Sequence, residues 1–181
     1  MHTILTIIGN ELTDHQYTQL NDSSQREFQL RLPAKPEMSD RRYFLLVEAE
    51  TEKILACGYL KSIHPVLFNH ETFSFLNIGG IIANEKGKGY GKQIMMAIRA
   101  YLISCDKTGL GFCFPRNQGF YEKCGFTVDT LSTKRFIYRH GGERRIAEGQ
   151  YILYQDSGDR FMEQVLSHVD QEVFVPDPTI W

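Results

Sequence analysis

Ile78-Gly79-Gly80-Ile81-Ile82-Ala83-Asn84-Glu85-Lys86-Gly87-Lys88-Gly89-Tyr90-Gly91-Lys92-Gln93-Ile94-Met95-Met96 decides how this chain is read. The stretch opens as an apolar, strand-like run. It then passes through a turn in which Gly87, Gly89 and Gly91 alternate with Lys88 and Tyr90. Beyond the turn Ile94, Ile98, Tyr101 and Leu102 recur with helical period. A strand, a glycine turn and a helix start bring bare backbone N–H groups together. The helix end there carries roughly half a positive charge, and glycines let an anion come close. Lys86, Lys88 and Lys92 add cations around the same turn, so the expected ligand is a phosphate group. A P-loop would need a glycine at Lys86 and a hydroxyl residue at Gln93. A dinucleotide fingerprint would need G-x-G-x-x-G near a first strand, with an acid about 20 residues on, whereas residue 111 is Gly. Neither pattern fits.

One strand further on stands Asn117-Gln118-Gly119-Phe120-Tyr121-Glu122-Lys123-Cys124-Gly125-Phe126. Together the two stretches resemble the GNAT superfamily of N-acetyltransferases. Lys86-Gly87-Lys88-Gly89-Tyr90-Gly91 matches the family turn after the fourth strand, with Lys86 where an Arg or Gln is usual. Lys86 keeps the cation but lacks the planar fork of Arg. Asn117 through Phe126 approximates the second motif. The resemblance covers roughly residues 40–130.

Length and composition are compatible with this. A chain of 181 residues can bury one sizeable core, and 42% apolar with 23% charged residues is ordinary for a globular protein. A net charge of −2 gives no overall attraction to nucleic acid or an anionic membrane. Cys57, Cys105, Cys113 and Cys124 have no C-x-x-C or metal-ligand spacing, which reads as four reduced thiols in a cytoplasmic protein with no metal site. The N-terminal apolar run is too short for a signal peptide, and no apolar run approaches the roughly 20 residues that span a bilayer.

Along the chain, 3–8 reads as a strand. Thr13 or Asp14 caps a short helix to about Leu20, and Asn21–Ser24 breaks it before a second short helix over 25–30. Pro33 and Pro36 lead into a polar, mobile loop to Asp40. Strands follow over 43–49, 54–63 and 72–82, with a turn at Glu50–Lys53 and a second reversal bounded by His64-Pro65 and Asn69-His70. A helix covers 89–104 and a strand 109–114. Asn117 caps a helix to Lys123, with Gly125 at its C′ position. Strands begin at 126, 134 and 150 around a polar loop over 140–149, and 159–169 is helical. Antiparallel strands in succession, then helix, strand, helix, indicate an α+β class. With no repeat or linker, residues 1–181 read as one domain, with 131–181 as C-terminal strands and tail. The resemblance refines this to the acyl-CoA N-acyltransferase fold: a three-layer α/β arrangement with a mixed, mostly antiparallel six-to-seven-stranded sheet flanked by helices, splayed between strands four and five.

The resemblance implies acetyl transfer from acetyl-CoA to the primary amine of a small molecule, by direct attack on the thioester. It places the pantetheine arm along the main chain of Gly79, Gly80 and Ile81. Paired glycines inside a strand independently mark a bulge or a close approach. It places the pyrophosphate on the N–H groups of Gly87 to Gly91, Tyr90 included, with Lys86, Lys88 and Lys92 in reach, and Asn117 on the CoA arm. Tyr121 aligns with the general acid that protonates the leaving thiolate, and a phenol with a reference pKa of about 10 can donate at pH 7. Asn77 occupies the position where many members carry a basic Glu, and an amide is no base. The amine proton must therefore go to Glu71, His70 or His64 through water, to the carboxylate of Trp181, or to solvent from an amine of low pKa. Residues 14–40 are expected to form a wall of the acceptor site. A further similarity, to aminoglycoside 2′-N-acetyltransferases, rests on the strand hairpin and a tail ending in Trp181. Asp170, Glu172 and Asp177 make that tail acidic, which suits a cationic acceptor. Two other readings stay open: a non-catalytic acyl-CoA-binding module of the same fold, and an acetyltransferase acting on a protein N-terminus or Lys. A homodimer is also left open.

Overall fold

Continuous burial over residues 43–47 and 54–58, turning to alternation only beyond Leu60, builds the first part of the sheet. The computed structural model describes residues 1–140, 143–146 and 149–176. Two compact units are present, one made of residues 1–61 and 79–98, the other of 62–78 and 99–181.

In the first unit, β1 (His2–Ile8) pairs antiparallel with β2 (Arg41–Glu48), from His2↔Glu48 to Ile8↔Arg42. β2 pairs antiparallel with β3 (Ile54–Phe68), from Arg41↔Lys61 to Val47↔Ile54, with a register shift between Leu46 and Val47. One helix, α1 (Asp14–Phe28), covers the segment expected to hold two. Thr13 starts it with a capping box: Gln16 N–H donates to Thr13 Oγ1 at 3.1 Å, and Thr13 N–H donates to Gln16 Oε1 at 3.0 Å. Asn21–Ser24 do not break it. Ser23 and Ser24 are buried, and the Ser23 hydroxyl donates to Asn84 Oδ1 at 3.0 Å, so it has a partner outside the helix and does not compete for the helix's own bonds. The segment expected to be a polar loop contains a 3-10 turn, Lys35–Met38, anchored by the fully buried Met38. Met38 packs into a core with Leu20, Tyr43, Leu45, Ile54 and Ile82.

The second unit takes the rest of β3 and most of β4 (Glu71–Ala83). β3 does not end at Ile63 as expected but runs on through His64-Pro65 to Phe68. Ile63, Val66 and Phe68 are buried, and the turn comes at Asn69-His70, both with positive φ. After α2 (Tyr90–Ser104), β5 (Gly109–Cys113) pairs parallel with β4 at Leu76↔Gly109 and Asn77↔Leu110 only. β9 (Tyr151–Gln155) lies antiparallel to all of β5 and to β6 (Thr127–Asp129). β7 (Phe136–His140) pairs with β8 (Glu143–Ile146) and, in parallel, with β10 (Val173–Val175). The sheet is thus the mixed, mostly antiparallel one expected, parting after two residue pairs between strands four and five. It has ten strands among the described residues, not six or seven. β8 lies in the segment read as a polar loop, because Glu143-Arg144-Arg145-Ile146 carries no alternating apolar signal, and β10 is only three residues long. The helices here are α3 (Gln118–Lys123) and α4 (Phe161–Ser167). Phe161 anchors α4 among Phe68, Phe73 and Phe75, with ring centroids 5.0 to 6.3 Å away.

Candidate functional site

The glycine turn is built on the first unit, and each of its glycines has a distinct cause. Gly79 and Gly80 lie against Tyr59 on β3. A Cβ at Gly79 would sit 2.6 Å from Tyr59 Cζ, and one at Gly80 would sit 2.7 Å from Cε1. Gly80 also has φ of +60°, a left-handed kink inside a strand. The pair is therefore both a bulge and a seat for an aromatic ring. Gly87 and Gly89 have φ of +78° and +74°, and a Cβ on either would meet nothing within 4 Å. Backbone conformation, not crowding, requires glycine there, and the space over the turn is open. The first intrahelical bond of α2 runs from Gln93 N–H to Gly89 O at 3.2 Å. The amides just before Gln93 accordingly have no partner within the helix.

The side chains around the turn differ in availability. Lys88 and Lys92 are exposed. Lys86 is also exposed, but its Nζ reaches Glu27 Oε1 and Oε2 of α1 at 3.0 and 3.1 Å. Tyr90 meets His2 edge-on at 5.3 Å. Ile81 and Tyr90 are half-buried and Gly91 is buried. Asn84 holds the start of the turn: its Nδ2 donates to Ile54 O at 2.7 Å, and its Oδ1 accepts from Ser23 and from Arg26 Nη2 at 3.1 Å.

Asn77, Asn117 and Tyr121 stand on the second unit. Asn77 belongs to the last β4–β5 pair, is 1% exposed, and its Oδ1 accepts no hydrogen bond among the described residues. Tyr121 is buried on α3, edge-on to Phe120 at 5.0 Å. Burial pushes its phenol well above the usual tyrosine range, with Cys113 and Cys124 adding to the effect. It is therefore a protonated donor at any neutral pH. A Schellman pair fixes the end of its helix: Gly125 N–H donates to Glu122 O at 2.9 Å and Phe126 N–H donates to Tyr121 O at 3.2 Å. Gly125 has φ of +88°, as its expected C′ place requires. Asn117 does not cap α3. Its φ of −99° and ψ of −4° continue a preceding 3-10 turn, and its side chain makes no cap bond. His64, His70 and Glu71 are exposed. Asp177 and Trp181 lie outside the described residues.

Gly79 through Lys92 thus belong to one unit, and Asn77, Asn117 and Tyr121 to the other. Sequence reasoning missed Tyr59, Asn84 and Glu27. Two adjacent glycines in a strand could have pointed to a large ring on the neighbouring strand. The two polar partners lack any such signal. Among the described residues no group of three or more His, Cys, Asp or Glu could hold a metal, and no helix is long and apolar enough to cross a membrane.

A model of the acetyltransferase (GNAT) family matches residues 8–126. No curated protein matches the chain in sequence. Solved structures of similar fold include a GNAT family N-acetyltransferase (YhbS) from Escherichia coli in complex with CoA, with TM-score 0.63, 13% identity, and 97% of this chain and 88% of that one covered. An acyl-CoA N-acyltransferase from Pseudomonas aeruginosa gives TM-score 0.60 and 14% identity over 86% and 99% of the two chains. A Bacillus subtilis acetyltransferase in complex with CoA gives 0.51 and 16% over 85% and 99%.

Proposed function

Because this chain belongs to the acetyltransferase (GNAT) family, we propose that it moves an acetyl group from acetyl-CoA to a primary amine of a small molecule. One observation carries the reading. The turn that resembles the family's phosphate turn has Gly87 and Gly89 left-handed, open space above both, and the first-turn amides of α2 behind them. In this reading the diphosphate rests on the amides of Gly87 to Gly91, with Lys86, Lys88 and Lys92 as exposed cations of the same turn. The pantetheine arm runs along Gly79, Gly80 and Ile81, and Asn117 contacts it.

The amine nitrogen attacks the thioester carbonyl carbon, and the carbon–sulfur bond breaks as the tetrahedral intermediate collapses. Tyr121 gives its proton to the departing sulfur and regains one from solvent. The amine sheds its own proton in forming the amide. Presenting a Lys-like amine in neutral form at pH 7 costs roughly 4 kcal/mol, and Asn77 cannot lower that cost as a carboxylate would. An acceptor of low amine pKa therefore suits this chain best.

The same Asn77 is what favours a non-catalytic acyl-CoA-binding module as the second reading. Titration with CoA, followed by thiol release from acetyl-CoA over a panel of amines, separates the two. Saturable uptake with release supports the enzyme. Uptake without release for any amine supports the binding module, and no uptake overturns both.

A further inference from the structure

β1 lies at an edge of the sheet, and among the described residues it pairs with β2 alone. Its outward groups follow from that ladder. Ala49 N–H donates to Met1 O at 3.0 Å, so Met1 and Ala49 form a hydrogen-bonded pair. Such pairs alternate along an antiparallel ladder, so Thr3, Leu5 and Ile7 turn their N–H and C=O toward β2. Glu48, opposite His2, accordingly turns its N–H the other way, to Lys53 O at 2.9 Å. The N–H and C=O of His2, Ile4, Thr6 and Ile8 therefore face outward from the sheet edge. Edges of this kind are normally guarded by charge, proline, a bulge or shortness. β6 is three residues long and ends in Asp129, and β8 is four residues long with three of them charged. β1 has seven residues in unbroken register, and no Asp, Glu, Lys, Arg or Pro stands anywhere from Met1 to Asn10. Its first five residues are exposed, with Ile4 at 38% and Leu5 at 37% on opposite faces, although Leu46 and Leu45 beside them are buried.

We propose that this edge binds the same edge of a second copy, β1 antiparallel to β1 about a two-fold axis at Leu5. The outward groups choose the register. Hydrogen bonds form only where outward residues meet outward residues. Centring on Leu5 sets His2 against Ile8 of the partner subunit and Ile4 against Thr6 of the partner subunit. All four N–H and all four C=O are then satisfied on each copy. Sliding the strands by two residues either way leaves Ile8 or His2 unpaired. Charge chooses the partner. Across a two-fold axis a charged strand meets its own charges, and this ladder has no carboxylate, ammonium or guanidinium side chain to repel itself. The facing side chains are Thr3 with Ile7, and Leu5 with its own symmetry image, which covers the apolar flanks left open at Ile4 and Leu5. One ladder is small for an interface, so the dimer is reversible, with a dissociation constant on the order of 10 μM. The pairing is independent of CoA and of the glycine turn.

Sedimentation velocity of the full-length protein, from about 1 to about 300 μM, should show monomer passing to dimer. Ile4→Pro deletes one outward N–H and no β1–β2 bond, and proline suits the extended backbone of an edge strand. It should weaken the dimer about tenfold while the denaturant midpoint of the monomer barely moves. Leu5→Lys sets two ammonium groups against each other on the axis and should act alike; it is read in place of Ile4→Pro if that variant does not fold. The register has its own readout. Leu5→Cys puts two thiols on the axis with Cα atoms about 4.5 Å apart, within the span of a disulfide. Oxidation by oxygen with copper phenanthroline should then give a cross-linked dimer on a non-reducing gel. Thr3→Cys, which lies off the axis, should not exceed the background of the unaltered protein. A monomer at every concentration, or a dimer untouched by both Ile4→Pro and Leu5→Lys, would overturn the proposal. So would species larger than a dimer, or equal cross-linking from Thr3→Cys and Leu5→Cys.

Discussion

Tyr121 is the residue whose role is most directly measured. Tyr121→Phe removes one hydroxyl from a buried ring and leaves the Schellman end of α3 intact. The substitution should lower kcat by a factor of about 10² to 10⁴, the usual worth of a general acid, with CoA affinity almost unchanged; an unchanged kcat rules the assignment out. Gly80 makes the opposite kind of test. Gly80→Ala sets a Cβ 2.7 Å from the Tyr59 ring at a left-handed φ, so it should cost about 1–3 kcal/mol in denaturant unfolding and weaken CoA binding as well. Gly89→Val should block the diphosphate and also lower stability, because a β-branched residue is strained at a φ of +74° even though nothing crowds the position. At this scale the sequence is most legible where geometry forces a residue type: Gly87, Gly89 and Gly125 stand out because few other residues accept a positive φ. It is least legible where a partner is distant. Nothing local to Arg41, Tyr59 or Glu27 announces which residue each will face.

Helix α1 and the turn it supports form the next scale. Thr13→Ala removes half of a capping box and should cost about 1 kcal/mol, read as a lower midpoint at unchanged slope. Glu27 has a more specific consequence. It holds Lys86 in an exposed ion pair, which adds little to stability. Glu27→Gln should therefore leave the fold alone while freeing Lys86 for the ligand, raising CoA affinity a few-fold at low salt and less at high salt. An affinity that does not change would mean that Lys86 has no part in binding. Elements with strong periodicity, such as α2, β2 and β4, were readable from sequence. α1 was mistaken for two helices because Asn21–Ser24 looks like a cap, and only burial against Asn84 shows otherwise. β8 and β10 were invisible for a related reason. Short strands owe their existence to neighbours and carry little pattern of their own.

For the molecule as a whole, pH offers a simple probe. Burial raises Cys57 from 9.0 to about 12 and Tyr43 from 10.0 to about 12; burial and the nearby Glu122 charge raise Cys113 from 9.0 to about 11. Tyr121 is displaced in the same direction. The unfolded chain gives up these protons from about pH 9 upward, while the folded chain keeps them until about 11 to 12. Across that window the native state binds more protons, so stability is whole below pH 9 and falls as pH rises. Denaturant midpoints at pH 7, 9 and 10.5 should decline chiefly between the last two, and Cys57→Ala should shrink the decline. The path of the chain sets a further expectation. It leaves one compact unit for the other inside β3, inside β4 and inside α2. Far-UV dichroism and tyrosine fluorescence should therefore follow one common thermal transition, and two separated steps would show the units melting independently. The same threading bears on descent: no crossover that swaps contiguous stretches of gene could exchange one unit without severing a strand of the other, so the two must be inherited as a single piece.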